Sequence, residues 1–129
     1  MAWADRITRP HTGKELAVWL LSALLAITFI IVGAQKLTGS ETFWVEAFAM
    51  FGYPTWFRIL VGIVEVVGGI CLLIPAASLL ALPALGIVTF GAAFTHLASG
   101  TPGALVPFLL FLALAAVAWL RRDAIREAL

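Results

Sequence analysis

WFRILVGIVEVVGGICLLIP, residues 56–75, decides the architecture. Its length and apolar content read as a helix that crosses a bilayer, since about 20 apolar residues at 1.5 Å each cover ~30 Å of hydrocarbon. Yet Glu65 stands in its middle. A carboxylate at that depth costs free energy unless it faces the protein interior, where another polar group can meet it. Arg58, Gly62, Glu65 and Gly69 recur at spacings of 4, 3 and 4 residues, which puts them on one seam of a helix. The two small residues let a second helix approach that seam closely. Glu65 is therefore expected to point into a bundle, with Arg58 about 10 Å away along the same face.

Three more apolar runs accompany this one, at about residues 16–34, 76–97 and 104–120. The chain has 129 residues, 63% hydrophobic and 12% charged. A soluble domain this small has no interior large enough for so much apolar surface. Composition alone points to a membrane protein, and the net charge of +1 gives no basic footprint for nucleic acid. Val32-Gly33-Ala34 loosely resembles a signal cleavage site, but the run before it is too long for a signal h-region, so it reads as a true span.

The connections fix the order of packing. Pro75 and Ala76 leave almost no loop between spans two and three, and SGTPG at 99–103 is a similarly tight turn. Both predict antiparallel neighbours. The first connection, residues 35–55, is longer. Ser40 is placed to cap a short helix at about 41–51 that ends before Gly52, and Trp44, Ala47, Phe48 and Phe51 share one face. Aromatic side chains on that face suit the headgroup region. Pro83 is expected to kink span three. The fold expected is all-α: an integral-membrane antiparallel four-helix bundle with a short interfacial helix between spans one and two. It forms a single domain with tails at 1–15 and 121–129.

Arg6, Arg9 and Lys14 precede span one, and Arg121, Arg122 and Arg126 follow span four. Lys36 and Arg58 lie at the opposite end. By the positive-inside rule both termini face the cytoplasm. RRDAIREAL at the C-terminus reads as a short amphipathic helix.

Lys36, Arg58 and His96 then fall at one level, with Glu65 one or two turns deeper. Thr89, seven residues before His96, is a candidate hydrogen-bond partner for Glu65. Two readings of this constellation stand side by side. One is a polar pocket with Glu65 as ligand anchor or proton-exchanging group. The other is a structural clamp in which Glu65 pairs with Lys36 or Arg58 and fixes helix register. No metal set is expected, because His11 and His96 lie at opposite ends and Cys71 points elsewhere. Cys71 reads as a small buried hydrophobe. There is no covalent-haem signature, phosphate loop or nucleophile elbow, and so no catalytic motif of its own.

FIIVGAQKLTGSETF (29–43), RILVGIVEVVGGICLLIP (58–75) and FGAAFTHLASG (90–100) together resemble the DoxX-like family, over about residues 15–120. The resemblance rests on the Gly-x-x-Glu of span two with its downstream Gly, and on the Thr-His at the end of span three. It implies a small bacterial four-helix protein of the inner membrane. It also implies an accessory subunit of a redox or respiratory complex, non-catalytic within a quinone-linked oxidoreductase. Lys36, Glu65 and His96 match recurrent polar positions of the family pattern. Two other functions are weighed: a protein that binds a quinone or another small molecule beside Glu65, and a small transporter acting as an oligomer. Expected partners are the lipid bilayer and other membrane subunits or further copies of this chain.

Overall fold

The computed structural model describes residues 13–128, and every regular element among them is a helix. They are α1 (Gly13–Thr38), α2 (Thr42–Met50), α3 (Thr55–Leu72), α4 (Ser78–Ala98), α5 (Leu105–Leu120) and α6 (Arg122–Ala128). α1, α3 and α4 are long and apolar enough to cross a membrane, while α5, at 16 residues, is apolar but shorter. The outward residues of these helices confirm the solvent they are built for. Leu20, Leu24, Ile27, Leu80, Ile87 and Phe94 are all more than half exposed. An apolar surface this continuous is not tolerated in water.

α1 runs further than the 16–34 read from hydropathy. No helix breaker interrupts it before Gly39, so it carries Gln35, Lys36 and Leu37 past the apolar run. At Gly39 the chain adopts a φ of 64°, and its N–H closes the helix on the Gln35 carbonyl at 3.0 Å. α2 occupies the expected position of the short helix. Its start differs in detail: Glu41, not Ser40, is the N-cap, and it makes no side-chain cap bond. The Gly39 turn brings Ser40 beside Thr38 instead, and the two hydroxyls bond at 3.0 Å. α4 continues through Pro83 as one helix.

α1 and α3 make the closest pairing. A Cβ on Gly62 would sit 2.8 Å from the Gly33 carbonyl oxygen, and one on Gly69 would sit 3.0 Å from that of Ala26. The pairs Gly33–Gly62 and Ala26–Gly69 also show that α1 and α3 run in opposite directions. The seam of Gly62, Glu65 and Gly69 is buried, as its spacing predicts. Gly68, one residue off the seam, meets Leu85 of α4.

The apolar core draws on four helices: Leu25, Ala26 and Phe29 of α1, Leu72 of α3, Ala81, Leu82 and Leu85 of α4, and Leu114 and Val117 of α5. Half-buried Cys71 packs against this cluster as a small hydrophobe. One end of the molecule carries Lys36, Tyr53 and Thr95; the other carries Arg121 and α6.

Candidate functional site

The site is built where α1 ends and α3 begins. Glycines at 33 and 62 bring the two backbones together, Glu65 packs against Gly33, and Lys36, one turn further along α1, reaches back to it. Lys36 Nζ donates to Glu65 Oε1 at 2.5 Å. Both residues are buried, Lys36 to 7% exposure and Glu65 to 3%. A charge-assisted bond at this separation, shut away from water, couples the two groups tightly. Arg58 also turns toward α1, but its Nη1 donates to the main-chain carbonyl of Lys36 and not to Glu65. It satisfies a carbonyl at the C-terminal end of α1, where a positive charge also complements the helix dipole.

α2 supplies a cover. Trp44 lies with its ring centroid 4.4 Å from Lys36 Nζ, and Phe48 at 5.8 Å. Both distances suit a cation–π contact. Trp44 is held in place by its indole N–H, which donates to Gln35 Oε1 at 2.9 Å. The lysine ammonium is thus met by a carboxylate on one side and by aromatic rings on another.

Two sequence-predicted members lie apart. Thr89 is buried, but its hydroxyl donates back to the Leu85 carbonyl at 2.9 Å in its own helix and not to Glu65. A threonine hydroxyl four residues past a helical carbonyl finds that partner without crossing to another element. His96 also fails to reach the pair. Its Nδ1 bonds to Thr101 Oγ1 at 3.0 Å, and its ring stands edge-on to Phe51, with centroids 5.1 Å apart. Beside it, Tyr53 O–H bonds to Thr95 Oγ1 at 2.8 Å. The Thr95 hydroxyl already donates to the Gly91 carbonyl, so the tyrosine is the donor.

Sequence reasoning placed Trp44 and Phe48 on one face of the short helix but did not assign them to the lysine. It also gave Gly33 no packing role. The usable signal was spacing: Gly33 and Lys36 repeat on α1 the small-x-x-charged pattern of Gly62 and Glu65 on α3. Among the described residues, no three His, Cys, Asp or Glu side chains gather as a metal cluster.

Described residues that form only helices, several of them long and apolar enough to cross a membrane, with a buried Lys–Glu pair between two of them, mark a small membrane protein. A model of the DoxX-like family matches residues 20–118, which cover α2, α3 and α4 entirely and most of α1 and α5. The chain belongs to the DoxX-like family. No curated protein and no solved structure matches it.

Proposed function

We propose that the chain is a four-span antiparallel bundle of the bacterial inner membrane, acting as a non-catalytic accessory subunit of a redox or respiratory assembly. The observation that carries this reading is the closure of the Lys36–Glu65 pair. The ammonium and carboxylate are spent on each other, and Trp44 and Phe48 cover the lysine. Gln35, Arg58, Tyr53, Thr95 and His96 each make a side-chain hydrogen bond within the chain. A polar end consumed in this way holds helices in register and leaves the chain's contribution to its surfaces. Both termini are assigned to the cytoplasm because Lys14, Arg121, Arg122 and Arg126 outnumber Lys36 and Arg58. Arg6 and Arg9, which support the same orientation, lie outside the described residues. Purification from native membranes in mild detergent tests the reading. A defined oxidoreductase subunit should co-purify in fixed ratio, and a lone monomer that retains its fold would refute it.

A second reading is favoured by the aromatic cover itself. Trp44 and Phe48 sit over a buried charge pair on a short helix with no buried residues of its own. If α2 lifts, a quinone ring takes the place of the aromatic side chains and accepts a hydrogen bond from Lys36. Titrating a quinone analogue against the wild type and Glu65→Gln separates the readings: equal binding by both removes Glu65 from any ligand site.

A further inference from the structure

The other end of the molecule carries a charge that the described residues satisfy only in part. Leu110, Leu114, Val117 and Arg121 follow 4, 3 and 4 spacing on α5, so Arg121 continues the core seam of that helix. The arginine is 4% exposed. Its Nη2 donates to Ser22 Oγ of α1 at 3.0 Å, and Ser22 is itself fully buried. Nε and Nη1 are buried and have no partner among the described residues. The neighbouring arginine behaves in the ordinary way: Arg122 lies over the Trp119 ring at 4.1 Å and donates to the Trp119 carbonyl.

A guanidinium remains charged, and an uncompensated buried charge is costly, so these N–H groups call for an anion. Its position in depth says which. Arg121 immediately follows the last turn of α5, where an apolar helix gives way to Arg122, Asp123 and Arg126. That is the level of lipid headgroups. A second feature leads to the same place. A groove of about 750 Å³ lined by apolar residues and glycine runs between α4 and α5, from Ile125 and Ala118 past Gly86 to Phe111 and Phe94. Ala118 and Ile125 flank Arg121 by three and four residues, and the Ile125 amide donates to the Arg121 carbonyl at 2.9 Å. Along α4 the groove covers residues 79–94, roughly 22 Å at 1.5 Å per residue, longer than the ~15 Å of one leaflet.

We propose that Arg121 and the α4–α5 groove form one site for an anionic phospholipid, its phosphate on the Arg121 guanidinium and one acyl chain in the groove. Basic pockets between spans at a charged membrane face suit such headgroups. Arg121 Nε and Nη1 are closed to solvent, so the phosphate enters as α6 swings outward about its junction at Arg121. α6 has only seven residues and packs on the core through Ile125, so little must be released.

Native mass spectrometry of the full chain, released from detergent with phosphatidylglycerol or with the diacylglycerol of the same acyl chains, which has no phosphate, tests the site. The wild type should retain one phosphatidylglycerol at least about tenfold more tightly than the diacylglycerol, as one charge-assisted bond of roughly 1.5–3 kcal/mol requires. Arg121→Gln should lose that preference, while Arg122→Gln should keep it. Gly86→Leu, which fills a groove position where a Cβ would meet only Phe111 at 3.9 Å, should weaken both lipids. Equal retention of the two lipids by the wild type would overturn the proposal without recourse to any variant. So would equal loss in the two arginine variants, or displacement of the lipid by inorganic phosphate alone.

Discussion

Replacing Lys36 with Met keeps the length of the stem and removes the charge that faces Glu65. The two side chains are 9% and 4% exposed and 2.5 Å apart, so neither has water to replace its partner. Removing one member of such a pair costs about 3–5 kcal/mol, because the other is left buried without compensation. Lys36→Met also removes the ammonium from the Trp44 face, worth about 0.5–2 kcal/mol. The double variant Lys36→Met/Glu65→Leu separates these contributions. The aromatic loss is common to both backgrounds and cancels, so the cycle isolates the ionic coupling. Hydrogen bonds between membrane helices usually couple by about 0.6 kcal/mol and reach about 1.7. A dry ion pair between closely packed helices should exceed that upper value, and the double variant should be nearly as stable as the wild type. The assay is reversible unfolding in mixed micelles by titration with a denaturing detergent, followed by tryptophan fluorescence. A coupling below about 0.6 kcal/mol would refute the clamp.

The remaining expectations use the same unfolding assay unless stated. Gly62→Ala should destabilise by about 1–3 kcal/mol, because the added Cβ meets the Gly33 carbonyl oxygen at 2.8 Å and the Leu37 amide at 3.0 Å, both backbone atoms. Gly91→Ala has open space at its Cβ and should be neutral or stabilising by up to about 1 kcal/mol. Trp44→Ala should expose Lys36 to a water-soluble amine reagent that leaves it unmodified in the wild type, as read by peptide mass mapping. Burial pushes the Arg121 guanidinium down to about 10. The folded state then binds fewer protons than the unfolded one as pH rises through that value, so stability should increase with pH there. Arg121→Met should flatten this slope, and a slope that survives the substitution would exclude Arg121 as its source.

The helices were legible because each uses a signal that tertiary contacts do not override. Apolar runs of membrane-spanning length leave little choice in a bilayer, and the Gly62–Glu65–Gly69 spacing fixed which face of α3 turns inward. Element ends were less legible. α1 extends to Thr38 because Gln35, Lys36 and Leu37 are compatible with helix and only Gly39 stops it. The site divided along a similar line. Residue counting placed Glu65 one or two turns deeper than Lys36 with a pairing between them as one reading, and the long lysine side chain does span that step. Thr89 was placed near the depth of Glu65, but its hydroxyl found a carbonyl of its own helix, a competition invisible to spacing. Arg58 shares the seam with Glu65 yet serves the Lys36 backbone, because a long side chain can reach the helix end opposite. His96 was aligned by level alone, and level does not say that the turn at 99–103 folds back to offer Thr101.

The pairing of α1 with α3 also bears on how the protein is made. The two helices are separated in sequence by α2, and α1 leaves the ribosome first. Lys36 sits near the end of its helix, where a long cationic side chain can reach the headgroups while it waits. Glu65 is placed mid-helix and has no such escape. When α3 enters the bilayer, a cation and a glycine-lined face are already in position to receive it. The order of synthesis therefore delivers the partner that can wait before the one that cannot.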